Sequence, residues 1–157
     1  MHCPRDGEKM KVKKGNWQYR ESGLDDVVIV GINIYYCPVC DEVMPEIPRI
    51  NELHRLIAED LMNKKSLLTG KEIRFLRKEM YASVAHFAKK LGISKAQLRS
   101  WESGEQQVDP TADRLIRVLY SSDKKSDLQD IIIRFEHISK RIRPEKITIS
   151  SEQLVAA

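Results

Sequence analysis

Apolar positions in the stretch VAHFAKKLGISKAQLRSWES, residues 84–103, fall into two helical runs separated by a glycine. The spacing predicts one helix over Val84–Leu91 and a second over Ser94–Ser103, with Phe87, Leu91, Ile93, Leu98 and Trp101 facing inward. Gly92 stands at the bend, where a residue without Cβ takes a left-handed conformation without strain. Ala88 is small where two helices must cross closely, and Ser94 is placed to cap the second helix. Upstream, Thr69-Gly70-Lys71-Glu72 has the form of a capping box, followed by Ile73, Leu76 and Met80 at helical spacing. Downstream, Pro110 opens a helix whose buried stripe is read as Ala112, Leu115, Ile116 and Leu119.

The same periodicity recurs at Ile50, Leu53, Ile57 and Leu61, predicting a helix from Pro48 to Met62. Asn63-Lys64-Lys65-Ser66 breaks that pattern and reads as a hinge. Leu128, Ile131, Ile132, Phe135, Ile138 and Ile142 predict a helix over 126–143 that ends at Pro144. A helix so apolar on one side either packs back on its neighbour or pairs with a second copy, and dimerisation is the preferred reading. Lys146–Ile149 is strand-like, and Ser151–Ala157 is expected to fray.

The front of the chain alternates instead. Lys9–Lys13 and Trp17–Arg20 are weakly strand-like and Val27–Tyr36 is clearly so, punctuated by Gly15-Asn16, Ser22-Gly23 and Asp25-Asp26. The domains are therefore read as 1–62, a linker at 63–67, a helical domain at 68–122, and a C-terminal helix and tail at 123–157. The expected fold class is α+β, mainly α, with a small β unit in front. Trp17, Tyr19, Tyr35 and Tyr36 are expected in the core of that unit rather than on a partner-facing surface. His54 reads as a half-buried surface histidine, and His86 as outward-facing.

Charge sharpens the division. The 157 residues carry a net charge of +4, but residues 1–62 hold 8 basic against 11 acidic side chains, and residues 63–157 hold 19 against 12. A basic back half implies a nucleic-acid partner, and an acidic front half implies something else. No signal peptide and no apolar run long enough to span a bilayer is visible, so a cytoplasmic protein without membrane contact is expected.

On the second helix of the pair, Lys95, Ala96, Gln97, Arg99 and Ser100 are left facing outward. Apart from Ala96, these are residue types that meet phosphates and base edges in a major groove. The segment 68–121 resembles the Xre-type repressor domain of phage repressors and many bacterial antitoxins, on the strength of FAKKLGISKAQLRSWESG. The resemblance implies that Lys95, Ala96 and Ser100 face base edges, with Ser94, Gln97 and Arg99 as phosphate or mixed contacts. Ala96 offers only a methyl contact to thymine. Lys89 and Lys90 join Lys95 and Arg99 in neutralising phosphates.

Cys3-Pro4-Arg5-Asp6 and Cys37-Pro38-Val39-Cys40 have the form of two zinc-ribbon knuckles, except that Asp6 stands where a fourth cysteine belongs. Three readings are open: Asp6 ligates, His2 swings in, or the three cysteines are reduced hydrophobes at a packed corner. An odd cysteine count and a reducing compartment disfavour disulfides. No general base sits in a local motif, so no catalytic residue is assigned and no enzyme is expected.

A terminal knuckle, a second one about 34 residues on, a bridging helix and then an Xre-type domain is an order similar to that of the MqsA/YgiT-type antitoxins. That resemblance implies a structural Zn2+ on Cys3, Cys37 and Cys40, with Asp6 as the departure. It also implies an N-terminal domain that neutralises a toxin and a homodimer that represses its own promoter at a palindromic operator of double-stranded DNA. Two alternatives remain beside it. One is a prophage-type repressor without a toxin; the other is a protein-interaction module using the helix-turn-helix as a scaffold.

Overall fold

The structure is a computed structural model and describes residues 1–123 and 146–156. The chain folds as two units. The first takes residues 1–20, 25–57 and the described C-terminal residues; the second takes residues 21–24 and 58–123.

The first unit is built on β1 (Lys11–Gln18), β2 (Val27–Tyr36), β3 (Val43–Pro45) and β4 (Ile147–Ser150). β1 and β3 pair antiparallel with β2, whereas β4 pairs parallel, from Val27↔Ile147 to Val30↔Ser150. Val27, Ile29, Ile32 and Ile34 are all buried, although the step from 29 to 32 breaks strict alternation. A bulge explains this. Gly15 pairs with Ile32 and Trp17 with Ile29, so one residue of β1 faces two of β2, Val30 and Gly31. The extra residue returns the later isoleucines to the buried face.

Three expectations change here. The two short strands expected at 9–13 and 17–20 are one strand, because Gly15-Asn16 forms part of the bulge and not a turn. Of the four aromatics expected in the core, Tyr19 is buried, Trp17 and Tyr35 are half-buried, and Tyr36 is exposed. The segment expected to fray does not. Ser151–Ala156 forms a short helix, α6, with Leu154 fully buried. Its start is closed reciprocally: Gln153 N–H donates to Ser150 Oγ at 3.2 Å, and Ser150 N–H to Gln153 Oε1 at 2.8 Å. This is the capping-box pattern, carried by Ser150-x-x-Gln153. The helix expected over 126–143, with its dimerisation role, lies outside the described residues.

Helix α1 (Ile50–Asn63) begins in the first unit and ends in the second. Leu53 and Ile57 are fully buried, and His54 Nε2 lies 2.8 Å from Tyr19 Oη, which accounts for its half-buried state.

The second unit continues with α2 (Gly70–Glu79), α3 (Val84–Leu91), α4 (Lys95–Ser103) and α5 (Pro110–Asp123). The Thr69 capping box is complete in both directions. The segment read as a hinge is pinned: Lys64, Ser66, Leu67 and Leu68 are all buried. Arg117, with no exposed surface, donates to the carbonyls of Leu61, Met62, Lys64 and Ser66 at 2.8–3.2 Å. Its Nε reaches Asp113 Oδ2 at 2.9 Å, while Asp113 Oδ1 accepts from the Leu68 amide at 2.7 Å. Lys64 pairs with Glu72 across 2.9 Å, both buried. The face of α5 that turns inward is thus Asp113, Ile116, Arg117 and Tyr120. Of the stripe expected on this helix only Ile116 is fully inside; Leu115 stands 37% exposed.

Candidate nucleic-acid interface and metal cluster

Helices α3 and α4 are joined by Gly92 in the left-handed conformation, φ 70°. Its amide closes back on α3, and Ile93 N–H donates to Ala88 O at 3.0 Å, so the chain turns within three residues. Ser83 caps α3 by accepting from His86 N–H, and Ser94 caps α4 by accepting from Gln97 N–H at 3.0 Å. Phe87, Ala88, Leu91, Leu98 and Trp101 are buried between the helices, with Ile93 half-buried.

Behind this pair α2 braces α4. Arg77 donates to Glu102 through Nε at 2.6 Å and Nη2 at 3.0 Å, and Arg74 Nε lies 3.4 Å from the same carboxylate. Gly70 permits the contact, because a Cβ there would lie 2.1 Å from the Trp101 carbonyl oxygen. Glu102 is buried and Arg77 partly so. Neither stands out in the sequence, since charged residues at helical positions read as solvated.

Ser94, Lys95, Ala96 and Arg99 are exposed on α4, and Lys89 and Lys90 are exposed at the end of α3. From Met80 to Trp101 the chain holds Lys89, Lys90, Lys95 and Arg99 and no acidic residue. Gln97 and Ser100 are half-buried and engaged: Gln97 Nε2 donates to Gln106 Oε1 at 2.9 Å, and Ser100 Oγ to Glu105 Oε2 at 3.4 Å. Both partners lie in the turn after α4. His86 is exposed, as expected.

In the first unit, Cys3, Asp6, Cys37 and Cys40 come together with one ligand atom from each within 4.8 Å of the others. Two similar turns place them. Cys3 N–H donates to Glu8 O and Cys37 N–H to Glu42 O, so each leading cysteine closes on the residue five positions later. The fifth residue of each turn, Gly7 and Asp41, has positive φ. Asp6 therefore occupies in the first turn the position that Cys40 occupies in the second. His2 is not in the cluster; it bridges to Lys9 on the strand side.

The donors interact with one another. Cys3 and Cys40 sulfurs are 3.4 Å apart, and Cys37 Sγ donates to Asp6 Oδ2 at 3.2 Å. The Cys40 thiol, the Glu8 amide and the Cys37 thiol hold the Asp6 carboxyl well below the usual carboxylate range. The reverse effect, chiefly from Asp6, pushes Cys40 up to about 12. The set fits a tetrahedral zinc ion: Zn–S bonds of about 2.3 Å place neighbouring donors roughly 3.7 Å apart, and carboxylate oxygen is an accepted ligand. The cysteines are all free thiols.

Residues 73–119 match the family described as helix-turn-helix. This span takes in most of α2, all of α3 and α4, and most of α5, and it supports a DNA-binding transcriptional regulator. No curated protein and no solved structure matches the chain. Among the described residues, no helix is long and apolar enough to cross a membrane.

Proposed function

We propose that this regulator binds duplex DNA by laying α4 in the major groove. Lys95 and Ala96 meet base edges, Ser94 and Arg99 contact bases or phosphates, and the charges of Lys89, Lys90, Lys95 and Arg99 together neutralise the backbone phosphates. Gln97 and Ser100 join them once they exchange Gln106 and Glu105 for the nucleic acid. The observation that carries this reading is the outward face of α4, capped at Ser94, braced through Glu102 and free of acidic residues. A dimer would set two such helices ~34 Å apart on a palindrome. The test is a gel shift on duplex from immediately upstream of the chain's own reading frame, with Lys95→Ala and Arg99→Ala beside the parent. Undiminished affinity of both variants at moderate salt sinks the reading in favour of a scaffold role.

The finer reading is an antitoxin-type autorepressor whose front unit neutralises a toxin. Its support is the order of parts, a paired-turn Cys/Asp cluster ahead of a helix-turn-helix. Zinc on Cys3, Asp6, Cys37 and Cys40 is structural in this account: it ties two turns of a small sheet whose core is modest. Rescue of growth when the chain is co-expressed with a toxic product of an adjacent reading frame, and co-purification of the two, supports it. Absence of any such neighbour leaves a repressor without a toxin.

A further inference from the structure

Tyr81 occupies the turn between α2 and α3 and is 94% exposed. Its backbone is left-handed, φ 51°, a conformation that disfavours any side chain with a Cβ. Its amide closes on Lys78 O, yet among the described residues its side chain makes no hydrogen bond. The left-handed turn is how α2 ends, with Tyr81 N–H on Lys78 O and Ala82 N–H on Arg77 O, so the cap requires this φ but not an aromatic ring held out in water.

The turn is also fixed in place. Arg77 Nη1 donates to the Ala82 carbonyl at 2.9 Å while the same guanidinium holds Glu102 of α4. One side chain therefore locks the turn that displays Tyr81 to the helix that carries Lys95 and Arg99. Two residues after Tyr81, Ser83 opens α3, the helix that crosses the sugar–phosphate backbone when its partner enters the groove. The surrounding stretch, 80–101, is basic and without acids.

We propose that Tyr81 is a backbone-gripping residue of the DNA interface. Its phenol donates a hydrogen bond to a phosphate oxygen beside the groove that α4 enters, and its ring lies on the adjoining deoxyribose. This rests on the DNA-binding reading above and adds to it a neutral, sequence-independent anchor.

The experiment measures binding of the parent, Tyr81→Phe, Tyr81→Gly and Lys95→Ala to two labelled duplexes, one from upstream of the reading frame and one of random sequence, across a salt series. Tyr81→Phe is expected to weaken binding about three- to tenfold. Tyr81→Gly should weaken it at least as much, with a thermal midpoint no lower than the parent's, since glycine suits this φ. The loss is the same on both duplexes, and the salt slope is unchanged because no charge is removed. Parent-like affinity of both tyrosine variants overturns the proposal and points to a protein partner or a second copy at Tyr81. If Lys95→Ala weakens binding and flattens the salt slope meanwhile, the DNA reading survives alone. If the parent binds neither duplex, both readings fall together.

Discussion

Arg117 and Asp113, one helical turn apart on α5, form an ion pair in which neither side chain touches solvent. The pair holds two stretches of the same unit. The guanidinium gathers the carbonyls of Leu61 and Met62 from the last turn of α1 and those of Lys64 and Ser66 beyond it, and the carboxylate takes the Leu68 amide, so polar groups of the helix end and of the irregular stretch after it are satisfied together. Removing one partner strands the other. Arg117→Met is expected to lower stability by about 3–5 kcal/mol. Urea unfolding gives the magnitude, and faster amide exchange at residues 64–68 than elsewhere in the unit gives the location. An unchanged midpoint would mean that the pair contributes nothing.

Phosphate neutralisation has a signature apart from affinity. Lys95→Ala and Arg99→Ala should each reduce the slope of log K against log salt by about 1, on any duplex sequence. Fluorescence anisotropy over a range of ionic strength measures it, and two slopes equal to the parent's would place both residues off the backbone.

Gly92, in the turn between α3 and α4, and Gly70, at the start of α2, fail differently when substituted. Gly92→Ala meets no atom within 4 Å but must hold φ 70°, so a loss of about 1 kcal/mol is expected. Gly70→Ala would drive Cβ into the Trp101 carbonyl oxygen at 2.1 Å, and it should cost more, by displacing α2 from α4. Thermal melts of the two variants rank them, and an equal loss would contradict the close approach.

Metal and protons compete at the cysteine cluster. Without metal, the raised Cys40 pKa means that the folded chain keeps a proton the unfolded chain releases. That contribution is complete below the ordinary thiol value of about 8.5 and is lost as pH climbs toward the folded value. Zinc inverts the dependence, because bound thiolates release protons and affinity rises with pH. Calorimetry in buffers of different ionisation heat should detect proton release on zinc addition. Asp6→Cys should bind zinc more tightly and Asp6→Ala more weakly; zinc binding indifferent to position 6 would remove it from the ligand set.

Much of the helix-turn-helix is legible in the sequence because its signals are local. Thr69, Gly92 and Ser94 each act on backbone groups three to five residues away, and the residue type names the geometry. What is harder to read lies at long range or hides behind charge. Asp113, Ile116, Arg117 and Tyr120 have the spacing of a buried stripe, but two of the four are charged, so periodicity favours the neighbouring phase with Leu115. Glu102 and Arg77 are concealed in the same way. The bulge at Val30–Gly31 is invisible until a partner strand sets the register. The knuckle residues Cys3, Asp6, Cys37 and Cys40 are legible, since turn chemistry and spacing are again local. The Ser150–Gln153 cap is just as local, but its position near residue 157 favours the opposite expectation of a loose segment.

The pairing of Val27–Val30 with Ile147–Ser150 joins stretches more than a hundred residues apart in the sequence. A chain made from its N-terminus has β1, β2 and the cysteine turns outside the ribosome long before their fourth strand is translated. The front sheet therefore waits for residues 147–150 to emerge, with the Val27–Val30 stretch of β2 uncovered on one edge until then while β3 already covers Ile34–Tyr36.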